Sequence, residues 1–186
     1  MLPLQVHLTL PPWIGDVADV NRRYTTDEDR VAVAIELSRR NVEEASGGPF
    51  GAAVFNLHSG RLVAVGVNRV VPQACSVAHA ELLAIMIAQQ RLDRFRMNAD
   101  GGRYALATSS QPCCQCYGAI VWAGIDELLI GARSTDVEEL TAFDEGPLPQ
   151  DWAGELGKRG IAVRGDILRD EARQTLQRYG ASGPAY

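Results

Sequence analysis

His79-Ala80-Glu81 and, further along, Pro112-Cys113-Cys114-Gln115-Cys116 are the two stretches whose reading decides the fold of this chain. Each follows a β-rich run and opens a helical pattern. Ser76 is placed to cap a helix over residues 77–92, so His79 falls in its first turn. Pro112 suits the first position of a helix over residues 112–123. Cys113 and Cys116, three apart, then share one face of its opening turn. The free N–H groups there favour thiolates, the form that binds zinc. Two cysteines and one histidine leave a fourth tetrahedral position open, which separates a catalytic zinc from a structural one. Glu81 is not needed as a ligand and is free to move protons. A Cys-x-x-Cys pair at a strand-to-helix junction also suits a thioredoxin-like redox site. Its late position, the preceding proline and the histidine motif upstream favour the metal. Cys114 points about 100° away from its neighbours' face and reads as a packed small apolar residue, as does Cys75.

Working outward, residues 1–24 carry Pro3, Pro11, Pro12 and Gly15 and predict an irregular arm. Thr25 with Glu28 forms a capping-box pattern for a helix to residue 45, with Val31, Ile35 and Val42 facing inward. Two β-rich runs at 50–56 and 61–67, joined by Leu57-His58-Ser59-Gly60, predict a hairpin. Apolar residues nearly encircle the helix at 77–92, which predicts burial on all sides. Strands are expected at 104–108, 127–131 and 161–163, at most one helical turn at 137–140, a loop over 144–154, and a last helix at 168–179. This alternation predicts an α/β fold, a three-layer α/β/α sandwich on a mixed five-stranded sheet. Residues 25–186 read as one domain ending in a strand, a helix and a tail.

With 186 residues and a formal charge of −5, the chain has material for one core and no excess of basic groups to hold a polyanion. Nothing resembles a secretory signal or a membrane span. The crowding of cysteines at 113, 114 and 116 suits a metal better than a disulfide framework. The expectation is a soluble cytoplasmic protein with a small-molecule partner.

The order H-x-E then P-C-x-x-C is the signature of zinc deaminases. The chain resembles the cytidine deaminase-like superfamily and, within it, the bacterial guanine deaminases. The marks are Gly47-Gly48-Pro49-Phe50-Gly51, Asn68 in Gly66-Val67-Asn68-Arg69, His79-Ala80-Glu81, Thr108-Ser109 ahead of Pro112-Cys113, Gly118-Ala119-Ile120-Val121-Trp122, and Phe143-Asp144-Glu145. The resemblance implies that His79, Cys113 and Cys116 hold zinc and that Glu81 shuttles protons. It implies that Phe50 and Trp122 line or stack on a base, and that Asn68 and the backbone of Ala80 hydrogen-bond its edge. Glu145 would contact the amino-bearing edge and assist proton transfer, with Asp144 beside it among the substrate-binding residues. It further implies a homodimer and a C-terminal segment that closes the pocket, for which Tyr186 is a candidate; a frayed tail is the plain alternative. Gln111 and Gln115 depart from the family pattern, where Glu and Met are usual.

The activity so implied is hydrolytic deamination of guanine to xanthine and ammonia, zinc supplying the nucleophile and Glu81 the proton transfers. Guanine's N1–H and 2-amino group are adjacent donors that one carboxylate can accept, whereas adenine and cytosine present acceptor–donor edges. Alternatives are another aminated ring (an aminotriazine such as ammeline, guanosine, cytosine), a tRNA adenosine deaminase, or a non-catalytic zinc-binding module. Arg169, Arg173 and Arg178 form the only arguable basic cluster, and Asp170 and Glu171 dilute it.

Overall fold

Five strands, β1 (Gly51–Asn56), β2 (Arg61–Val67), β3 (Tyr104–Ser110), β4 (Glu127–Ala132) and β5 (Ala162–Arg164), form one mixed sheet in the order β2-β1-β3-β4-β5. They belong to a computed structural model that describes residues 2 and 4–182. The hairpin β1–β2 and the pair β1–β3 are antiparallel, while β3–β4 and β4–β5 are parallel. Seven α-helices complete the described chain: α1 (Ile14–Val17), α2 (Asp27–Glu43), α3 (Ala80–Leu92), α4 (Cys114–Ala123), α5 (Ser134–Leu140), α6 (Trp152–Gly157) and α7 (Arg169–Ser182).

Alternation along the strands splits the interior into two cores, one per face of the sheet. Ala53, Phe55, Ala105, Ala107 and Leu129 pack with residues of α2, α5 and α7. Ala52, Val54, Leu106, Leu128 and Ile130 pack with residues of α3, α4 and α6. This is the α/β/α sandwich that the order of elements predicts. A bulge lets Val54 pair with Ala64 while Phe55 pairs with Leu62. Val63 and Ala64 consequently share a face, both joining the core under α3. Gly66 admits the helix closely, because a β-carbon there would run into the carbonyl of Ala80.

Several boundaries depart from the sequence reading, each for a local reason. The arm is not wholly irregular, since α1 interrupts it. The cap of α2 is one residue later than expected: Thr26 Oγ1 accepts from the N–H of Asp29 (3.0 Å), and Val42 is only partly buried. Helix α3 starts at Ala80 rather than 77, leaving His79 extended at its N-cap (φ −74°, ψ 155°). Nor is α3 buried all round, for Met86 is exposed. Pro112 precedes α4 instead of starting it, and Cys113 takes the extended N-cap position. Where at most one turn was expected, α5 makes two, stabilised by Asp136 accepting from the N–H of Arg133 (2.8 Å). Helix α6 occupies the end of the expected loop, with Asp151 accepting from the N–H of Gly154 (3.0 Å). Strand β5 lies one residue later than the apolar run suggests.

Candidate active site

Two helix starts, reached from β2 and β3, deliver the cluster. The loop after β2 folds back on itself: the N–H of Arg69 donates to the carbonyl of Ala78 (2.8 Å), which sets His79 at the N-cap of α3. Strand β3 runs through Gln111, whose N–H still bonds Ala132 of β4 (2.8 Å), into Pro112 and the N-cap Cys113. Nδ1 of His79 lies 3.4 Å from Sγ of Cys113 and 3.5 Å from Sγ of Cys116. A tetrahedral zinc, bonded at about 2.3 Å to sulfur and about 2.0 Å to nitrogen, holds such atoms roughly 3.5 Å apart. The donor set and its spacing therefore fit a zinc ion, and the three ligating atoms all lie within 4.8 Å of one another. The three-residue spacing survives the shift of the helix start, because the N-cap and the third helical residue still converge.

The site is electrostatically tense. A hydrogen bond from Cys116, and then one from His79, pull the Cys113 thiol down to about 4 against the effect of burial. The Cys116 thiol is raised, because Cys113 carries the charge beside it and because it is buried. Burial works against protonation of His79, yet Cys113, Glu81 and Glu145 outweigh it and raise the imidazole above its ordinary value. Glu81 is pushed up to about 7, by burial first and then by Cys113. Glu145 is pushed up to about 8 by burial, Cys113 and Glu81. A divalent cation on the three ligands opposes both rises.

A cavity of about 370 Å³ opens beside the cluster, within the range of small-molecule sites. His79, Cys113 and Glu81 line it together with Glu145, Asn68 and Phe50. Asn68 is buried; its N–H donates to the carbonyl of Phe50 (3.0 Å) and its own carbonyl accepts from Asn41 Nδ2 (2.9 Å). The Phe50 ring packs on Phe143 (centroids 5.4 Å apart), which stacks on Tyr179 of α7 (5.7 Å). Asp144 borders the cavity, but its Oδ1 turns back to accept from the N–H of Gly146 (2.8 Å). Ala80 is fully buried at the first residue of α3, between His79 and Glu81.

Other expected site residues are placed elsewhere. Trp122 is 75% exposed and is not among the residues that line this cavity. On the single chain α4 carries the ring to the outside. Tyr186 lies outside the described residues. Conversely, Gln111 lines the cavity, with Oε1 near the N–H of Ser134 (3.5 Å), although the sequence marked it only as a departure. Gln115 donates to the carbonyl of Ser76 (3.3 Å) and ties α4 to the turn before His79. Phe143, read only as a family mark, is a wall residue; its aromatic partners, Phe50 and Tyr179, are too distant in the chain to have signalled it.

Residues 24–132 match the cytidine and deoxycytidylate deaminase zinc-binding region. A solved structure of guanine deaminase from Nitrosomonas europaea is 44% identical, with 97% of this chain and 99% of that chain covered at a TM-score of 0.91. A variant of NE0047 solved with 8-azaguanine is 45% identical, covering 96% of this chain and 98% of that one at a TM-score of 0.90. Guanine deaminase of Bacillus subtilis (strain 168) is 35% identical over 112 residues, 60% of this chain and 67% of the relative. Matched over more than half its length, and with the histidine, both cysteines and the carboxylate meeting in space, the chain belongs to the cytidine and deoxycytidylate deaminase family of zinc-binding domains.

Proposed function

We propose that this protein hydrolyses guanine to xanthine and ammonia. The observation that carries the choice of base is Glu145, a buried carboxylate facing the same cavity as Glu81 and the ligand cluster. One carboxylate can accept from both N1–H and the 2-amino group of guanine, and Glu145 takes that role. His79, Cys113 and Cys116 would hold a zinc ion, which when bound would lower the pKa of water at the site and stabilise charge in the transition state. Glu81 accepts the proton of the attacking water, delivers it to the ring nitrogen, and then helps protonate the departing ammonia. Phe50 packs on the base, and Asn68 and the Ala80 backbone fix its edge. The similarity to solved guanine deaminases over nearly the whole chain supports the same reading.

An RNA substrate has little to hold it. Arg169 and Arg173 are engaged by Asp136, and Arg178 pairs with Glu43 (2.7 Å). We further take residues 25–186 as one deaminase domain after an arm at 1–24, and the protein as a cytoplasmic homodimer. The four cysteines are free thiols, three of them at or beside the ligand cluster, which suits a reducing compartment. No helix among the described residues is long and apolar enough to cross a membrane.

The test is ammonia release from guanine, guanosine, ammeline, cytosine and adenine. Guanine turnover should dominate, and Glu145→Ala should lower it by about a hundredfold or more. Turnover of cytosine without guanine, or full guanine activity in Glu145→Ala, would overturn the assignment.

A further inference from the structure

The middle cysteine of the metal motif is left without a role by the chemistry above. Cys114 is the first residue of α4, half-buried, and flanked by the two sulfur ligands. Its N–H, one of the groups a helix start leaves without an internal partner, donates to the carbonyl of Glu145 (2.9 Å). Its side chain lies under Gly146. A β-carbon at Gly146 would sit 2.6 Å from Sγ of Cys114 and 3.5 Å from its Cβ. Gly146 itself is left-handed (φ 69°), in the turn closed by Asp144. On the other side of Glu145, Phe143 is held between Phe50 and Tyr179. Glu145 is thereby held from both sides, by Phe143 two residues before it and Gly146 after it, and its carbonyl is held by Cys114.

We infer that Cys114 is a positioning residue: its N–H and sulfur seat the Glu145 carbonyl and Gly146, and so set how far the Glu145 carboxylate reaches into the cavity. The inference rests on the reading of Glu145 as the group that contacts the base. Its physical content is that one helix start carries two of the three metal ligands and seats the loop that bears the substrate carboxylate. The distance between the metal and the amine-binding group is then set within a single turn of α4. A thiol fills the space under Gly146; a longer side chain at 114, or any side chain at 146, lifts the loop.

The test is a size swap measured on the zinc-loaded protein. Gly146→Ala puts a methyl against the sulfur and should weaken 8-azaguanine binding and guanine kcat/KM, by about a hundredfold if the carboxylate moves by an ångström. Cys114→Ala/Gly146→Ala removes the sulfur, leaving the 3.5 Å approach to Cβ. It should recover about tenfold of that loss, short of wild type because the left-handed backbone is retained. Zinc content should stay at one per chain in all variants. Hydrogen exchange at the Cys114 amide should quicken in Gly146→Ala and slow again in the double variant. A double variant as weak as Gly146→Ala, or weaker, would overturn the inference, as would exchange at Cys114 that ignores both substitutions. Should the wild type release no ammonia from guanine, the functional reading falls, and the exchange arm still decides the seat by the same two outcomes.

Discussion

Three acidic side chains are buried among the described residues, Glu81, Asp136 and Glu145, and their partners give them opposite characters. Asp136 faces arginines, which hold it well below the usual carboxylate range, whereas Glu81 and Glu145 are pushed up by burial first and then by the charge of Cys113. Carboxylates kept at that cost beside a metal-binding cluster point to proton chemistry rather than scaffolding. Glu81→Gln is the direct check. It preserves shape and should keep zinc while lowering turnover by about 10² to 10⁴-fold, measured as ammonia release alongside metal content. Unchanged turnover would reduce the zinc to a structural role. At this scale the sequence was most legible where chemistry is local: His79, Glu81, Cys113 and Cys116 are readable because ligand spacing within a helical turn fixes their convergence. The facing of Trp122 is less legible because it depends on register: at about 100° per residue, six positions beyond Cys116 turn a side chain roughly 120° away from it.

Helices α5 and α7 are joined through Asp136, which accepts from Arg169 Nε and Nη2 (2.8 and 2.7 Å), from Arg173, and from the backbone of Arg133. The pairing matters to the site because α5 ends at Leu140, just before the strip that carries Phe143 and Glu145. Asp136 ionises near 3.8 when free and lower when folded, chiefly through its hydrogen bond with Arg169. The stability it contributes is thus fully present above that ordinary value and fades as pH falls through the lower folded one. Asp136→Asn should cost about 2 kcal/mol near neutral pH, and the deficit should shrink well below pH 4. Urea melts of both proteins at the two pH values measure it; a deficit indifferent to pH would mean that packing, and not the charge, matters here. The sequence hid this link. Arg169, Arg173 and Arg178 read only as a basic cluster diluted by Asp170 and Glu171, because their acceptors, Asp136 and Glu43, lie on other helices. Helix α5 read as one turn at most and α6 as loop, because Asp136 and Asp151, which bond their opening N–H groups, stand in stretches that otherwise read as loops.

For the whole molecule, the alternation of strand residues between two cores made the sandwich legible, since each β-run shows which residues share a face. What alternation does not show is which outer surface remains uncovered. The clearest such place is α4, where Trp122 stands 75% exposed and a side chain added at Gly118, one turn earlier, would meet nothing. The neighbouring α3 adds the exposed Met86, and Val77 is exposed just before it. Apolar area of this kind on the helix that bears two zinc ligands argues for a covering partner, and a second copy of the chain is the partner proposed above. Sedimentation at micromolar concentration should then give about twice the 20.2 kDa chain mass. Trp122→Asp should shift it to one chain while leaving zinc content unchanged, because the exposed ring is not one of the three ligands. A wild-type protein that sediments as a single chain would end the dimer proposal without touching the deaminase reading, which rests on side chains of one copy.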